Sequence, residues 1–260
     1  MDRVRTTGDR AFAVDLATIV LISAAICAYA RDLARMSVLV PLVLGLRTAL
    51  FLALPDDERD TSRRGELGLL LVATLLGAFN DWSSVVRHRI YDYTVPTDLG
   101  RLSSIPLWML LYWGMILRFV LTLCHYRRLA LPASPTGLAS LRVGGVARVA
   151  LLLGIVVVTR QCIYRLYDRP ILSFVPFVAA LILFLAVVRP DARRRGLLFG
   201  VLVLGPAVEV LYIQVGHLHA YRLGVLFGVP IWIALWWGLA VLVWEELGTR
   251  LQRGLDGVLA

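Results

Sequence analysis

Lysine is missing from this 260-residue chain, whose 27 basic residues are all arginine and whose net charge is +9. That usage fits a genome rich in G and C. It is no nucleic-acid footprint, which needs a basic face on a soluble module. Histidine is scarce too: four residues are too few for a di-iron desaturase or hydroxylase site. Cysteine is limited to Cys27, Cys124 and Cys162, an odd set with no CxxC, so neither a disulfide framework nor a cysteine metal site is built here. They read as small buried hydrophobes. Also absent are GxSxG, a Walker loop, GxGxxG and HExxH, which removes the common hydrolase, nucleotide and zinc-protease chemistries.

Apolar residues are abundant instead. They make up 59% of the chain, with a mean hydropathy of +0.76, against roughly 45–50% for a soluble domain. Eight runs are long enough to cross the ~30 Å hydrocarbon layer as helices, at about 11–30, 36–55, 66–86, 104–124, 143–159, 170–188, 197–215 and 226–245. The expected fold class is therefore an all-α integral membrane protein of about eight transmembrane helices. The first run is not a cleavable signal, for it is too long, contains Asp15 and lacks a cleavage site.

Arginine placement orients the chain. The N-terminus, the loops after runs 2, 4 and 6 and the C-terminus hold fifteen Arg, against nine in the other loops, Arg101 and Arg160 among them. Both termini are therefore expected in the cytoplasm, with the protein in the cytoplasmic (inner) membrane.

One phrase occurs twice. Pro106, Trp108, Leu111, Trp113 and Gly114 match Pro230, Trp232, Leu235, Trp237 and Gly238 at an offset of 124 residues. Upstream, Gly77, Asp81 and Tyr93 match Gly205, Glu209 and Tyr221 at an offset of 128. Pro followed by Trp is also a good way to start any spanning helix, but the matched Gly, carboxylate and Tyr favour a duplication. The expected organisation is two four-helix units, 1–128 and 129–260, of like orientation, forming one compact membrane domain.

Charges inside the runs mark candidate sites, because a carboxylate in hydrocarbon costs about 2.5–3.5 kcal/mol and so faces a partner or a cavity. The runs contain Asp15, Arg47, Asp81, Arg118, Arg148 and Glu209. Glu209 lies near mid-depth and Asp81 nearer the outer end. A carboxyl group taken out of water favours its protonated form, which a proton donor requires. Arg47 cannot give up its charge and needs an anion, from Asp15, Asp81, Glu209 or a ligand. A structural arginine–carboxylate pair and a functional one share the same geometry, and both remain open.

The outer loops "RHRIYDYTVPTDLGR" and "GHLHAYRLG" supply His88, Tyr91, Asp92, Tyr93, His217, His219 and Tyr221. Three of these are histidines, enough for a mononuclear metal, but interfacial anchoring at the headgroups is the simpler reading, and no metal is assigned. "YDYTVP" and "YRLYDRP" look like chain reversals at the membrane surface. "PDDERD", at 55–60, reads as a solvated turn.

The pattern Glu209, Gly216, Tyr221 and "GVPIW", ending in Trp237, resembles carotenoid-biosynthesis membrane proteins, including bacterioruberin-type hydratases, and is similar in style to small membrane terpene and carotenoid cyclases. It covers about 35 residues, and the Pro-Glu-Glu element of membrane lycopene cyclases is absent. The resemblance implies acid-initiated hydration or cyclisation of a double bond in a membrane lipid or isoprenoid. Glu209 would be the acid and Asp81 its partner or the second acid; Arg47, Trp82, Tyr93, Tyr221, Trp232 and His217 would contact substrate, and no cofactor is implied. A transporter with a charged midplane site and a non-catalytic assembly subunit are the competing readings.

Overall fold

The computed structural model describes residues 6–100, 102–129 and 145–259; Arg101 and positions 143 and 144 of the expected fifth run lie outside the described residues. Among the described residues there are eight α-helices: α1 (Asp9–Tyr29), α2 (Leu33–Ala53), α3 (Arg63–Trp82), α4 (Leu107–His125), α5 (Gly145–Leu166), α6 (Pro170–Val188), α7 (Ala192–Gln214) and α8 (Ile233–Leu259). The first seven are long and apolar enough to cross a bilayer. Phe79, Val38, Leu42 and Val203 stand about two-thirds exposed on their outer faces, where acyl chains rather than water are the compatible surroundings.

Local chemistry sets the helix starts. Asp32, Ser62 and Asp191 cap α2, α3 and α7 by accepting from the backbone N–H three residues on, at 3.0, 3.0 and 2.9 Å. Pro170 opens α6, where its missing N–H is not needed. The start of α8 departs from expectation. Residues 226–229 form a tight turn, with Phe227 and Gly228 at φ 50° and 82°, so the helix begins at Ile233 and Pro230 and Trp232 precede it. It then runs 27 residues and takes Glu245, Glu246 and Arg250 with it.

Packing shows what the repeated phrase is for. Helix α3 packs on α4 and α7 on α8; α1 and α2 both reach α4, as α5 and α6 both reach α8; α3 and α4 then meet α8. A Cβ added to Gly77 would lie 2.5 Å from Trp113 Cβ, and one added to Gly205 would lie 2.5 Å from Trp237 Cγ. Each glycine thus lets an indole lie against the neighbouring helix backbone. The two indoles then face each other, 6.4 Å between ring centroids, where the halves join.

Two short strands close the end of the bundle at which α3 and α7 finish. β1 (Tyr91–Tyr93) pairs antiparallel with β2 (His219–Tyr221), in the register Tyr91 to Tyr221 and Tyr93 to His219. "YDYTVP" is therefore a strand and its exit, since its partner lies in the other half; residues 167–168 do turn, ahead of α6.

Candidate site beneath the aromatic ribbon

Asp81 and Glu209 end up under this ribbon because each sits four residues beyond the glycine that seats its helix on an indole. Period-two alternation then decides what they meet. Tyr91, Tyr93, His219 and Tyr221 point inward, while Asp92 and Ala220 are exposed. Tyr91 and Tyr93 donate to the two oxygens of Asp81, the second at 2.8 Å. Trp237 Nε1 donates to Glu209 Oε1 at 3.2 Å, and His219 Nε2 lies 3.0 Å from Glu209 Oε2. Trp113 comes close to Asp81 from the place equivalent to Trp237, without reaching hydrogen-bond geometry. Each carboxylate is thus met by an indole from the following helix and by ribbon side chains.

Electrostatics keep the tyrosines as donors. Burial pushes the hydroxyls of Tyr91, Tyr93 and Tyr221 well above the usual phenol range, and the neighbouring carboxylates push the same way. The two acids differ in access. Asp81 is fully buried, whereas Glu209 borders a cavity of about 30 Å³ shared with Tyr91, Trp113, Arg160, Tyr221 and Trp232. That is about the volume of one water. Trp232 stacks on Phe177 at 5.6 Å and meets Tyr221 edge-on at 6.1 Å. Arg160 reaches over from α5, donating to Asn80 O at 2.9 Å and Ser84 Oγ at 2.7 Å.

Of the residues singled out in the sequence, Asp81, Glu209, Tyr93, Tyr221 and Trp232 come together here. Trp82 does not, being 39% exposed on the outer face of α3, because a residue next to an inward one on a helix points about 100° away. His217 does not either: it lines a separate cleft, and its ribbon neighbour His219 takes the place at Glu209. His88 stacks on Tyr164 at 3.7 Å, so the three histidines are dispersed. Tyr91, Trp113, Arg160, His219 and Trp237 complete the site. The alternation of YDY and HAY and the indoles of the repeated phrase were the signals for all but Arg160.

Arg47 belongs to a second buried cluster. Its Nε donates to Asp15 Oδ1 at 2.6 Å and its Nη1 to Glu66. Arg118 donates from Nε to Glu66 Oε2 at 2.8 Å, from Nη2 to Asp60 Oδ1 at 2.6 Å and from Nη1 to Thr122 Oγ1 at 2.7 Å. Thr122 hands on to Asp15 Oδ2 at 2.5 Å. Both guanidinium groups lie over the Phe51 ring. Glu66 and Asp81 are fifteen residues apart on α3, about 22 Å along the axis, so Arg47 takes no part in the ribbon site.

The acidic loop is correspondingly not a solvated turn throughout. Arg59 and Asp60 are buried, and Asp60 also accepts from Thr7 at 3.1 Å and lies 3.4 Å from His125. Burial would raise the Asp60 carboxyl, but Arg118 and His125 outweigh it and hold it well below the usual carboxylate range.

No protein-family model matches the chain, and no curated protein does. By structure it is similar to a mycobacterial Insig homolog, MvINS from Mycobacterium vanbaalenii, with a TM-score of 0.53 and 23% identity over 74% of this chain and 95% of that one. A cross-linked trimer of an MvINS variant matches equally, at 0.53 and 23%, over 74% of this chain and 96% of that one. At this identity the likeness shows the fold: this is a polytopic all-α membrane protein with the architecture of an Insig homolog.

Proposed function

We propose that the protein works within the cytoplasmic membrane, both termini in the cytoplasm, on an isoprenoid or another membrane lipid, by proton transfer at the Asp81–Glu209 site. One observation carries this reading. Two carboxylates, one from each half, lie beneath a single layer of Tyr, Trp and His in an apolar bundle, where an ionisable group is costly unless it is used or paired.

Roles follow from access. Glu209, at the edge of the water-sized cavity, is the acid that gives its proton to a double bond. Asp81, enclosed by Tyr91 and Tyr93, fixes the ribbon and is the partner charge. The cavity admits a water and not an isoprene unit, so a double bond reaches Glu209 only when this wall parts, and the faces of Trp113, Tyr221 and Trp232 are then the surfaces that stabilise a carbocation. Water or a second double bond then captures the cation, and the proton released returns to Glu209.

A second reading has its own support: a non-catalytic lipid-binding or assembly subunit. All four carboxylate oxygens already have hydrogen-bond partners, as in a clamp between halves, and the MvINS fold has been obtained as a cross-linked trimer.

Mass spectrometry of lipid extracts from an isoprenoid-supplied host separates the two. The enzyme reading expects a product with the wild type that disappears with Glu209→Gln while the variant still inserts. Identical extracts with and without the expressed protein would reject catalysis and leave the clamp.

A further inference from the structure

Away from the ribbon site, a cleft of about 350 Å³ opens where α1 and α7 end, lined by Cys27 to Asp32 on one side and Val215 to His217 on the other. We propose that this cleft binds the headgroup of a zwitterionic phospholipid of the phosphatidylethanolamine type. The proposal is independent of the chemistry at Asp81 and Glu209.

Both signs of charge are present in the lining. Arg31 and His217 offer donors for a phosphate, and among the described residues no carboxylate forms an ion pair with Arg31. The C-termini of α1 and α7 offer the opposite pole, since the last carbonyls of a helix carry its negative end, while the Asp32 oxygens are already taken by the backbone N–H and guanidinium of Arg35. A plain anion would meet that negative pole. A phosphate bearing a primary ammonium satisfies both, its N–H groups donating to the carbonyl oxygens.

His217 is held in place by the backbone. The N–H of Gly216 bonds to Leu211 O and that of Leu218 to Tyr212 O, which places His217 at the left-handed position after the helix, φ 46°. Glycine suits that position, and an imidazole there is strained, as side chains at ligand sites often are. Gly216 in turn abuts Ile26, closing the cleft floor between the two helices.

The walls continue into the membrane. From Ala28 the exposed face of α1 runs one turn at a time through Ala24 to Val20, and from Val215 that of α7 runs through Leu211 to Val208. Both lines start at cleft residues, so acyl chains hanging from a bound headgroup would lie along apolar helix faces. That continuity commits the site to a lipid rather than a soluble phosphate.

The test is lipid retention. The purified full-length protein in mild detergent is equilibrated with equal amounts of phosphatidylethanolamine, phosphatidylglycerol and phosphatidylcholine, and retained lipid is quantified by mass spectrometry. The wild type should enrich phosphatidylethanolamine about tenfold, a difference of about 1.4 kcal/mol. Arg31→Ala with His217→Ala should abolish the enrichment, and Arg31→Lys should keep most of it. Equal or greater retention of phosphatidylglycerol, equal retention of phosphatidylcholine, or an unchanged double variant would overturn the proposal. So would displacement of the lipid by glycerophosphoethanolamine, which has the headgroup and no chains. Arg31 and His217 are exposed, so an unshifted melting point of the double variant shows that the fold is intact.

Discussion

Glu66 and Arg194 stand 128 residues apart, the offset that relates Asp81 to Glu209, and each forms an ion pair with the following packed helix, with the signs exchanged. Glu66 of α3 accepts from Arg118 of α4 at 2.8 Å, and Arg194 of α7 donates to Glu245 of α8 at 2.7 Å. Arg148 of α5 pairs with Glu246 of α8, much as Asp15 of α1 is tied through Thr122 to α4. On α3 and α7 the charged positions coincide with polarity exchanged, whereas on α8 Glu245 lies about one turn beyond Leu242, the residue 124 positions after Arg118.

The two pairs should differ in energy. Arg118 is fully buried among Asp15, Asp60 and Glu66, so Arg118→Leu strands buried carboxylates and should cost about 3–5 kcal/mol. Arg194 is 29% exposed, and Arg194→Leu should cost under about 1 kcal/mol. Thermal melts in one detergent measure both, and equal losses would contradict this ranking.

Acid should loosen the end of the bundle opposite the ribbon. Asp60 is held below its ordinary value, so its contribution to stability is complete above the unfolded value of about 3.9 and is lost progressively as pH falls below it. Melting temperatures between pH 6 and pH 3 should drop in the wild type. With Asp60→Asn the baseline stability is lower and the drop shallower; parallel curves would show that another group is responsible.

Glycine tolerance should follow the seams between helices. Gly77→Ala and Gly205→Ala force a methyl group into an indole and should each cost about 1–3 kcal/mol. Gly45→Ala, with nothing within 4 Å, should be neutral or stabilising by up to about 1 kcal/mol. Denaturation midpoints of the three variants check this order directly.

The paired histidines should respond oppositely. His219→Ala leaves a buried oxygen of Glu209 without its partner, at about 1–3 kcal/mol. His217→Gly relieves a left-handed backbone and should stabilise by about 1 kcal/mol, while removing one contact for the phosphate. A loss of stability in both variants would mean that His217 makes a buried contact.

The sequence by itself determined the membrane class, the eight helices and the repeated phrase that brings Asp81 and Glu209 to equivalent depths. Those properties are written in windows of about 18 residues and in residue types whose cost in hydrocarbon is fixed, so no distant partner had to be known. Tertiary structure alone decided the partners. Asp60 belongs to a stretch that reads as a solvated turn and Glu66 opens an apolar run, yet helix rotation and a loop reaching back under α1 and α4 bury both beside Arg47 and Arg118. His219 rather than His217 meets Glu209 because only His219 lies in the strand, paired with Tyr93 from a segment more than a hundred residues away, while His217 precedes it at a left-handed position. A single sequence states which groups need a counter-charge, but the rotation of each helix about its own axis selects which groups meet.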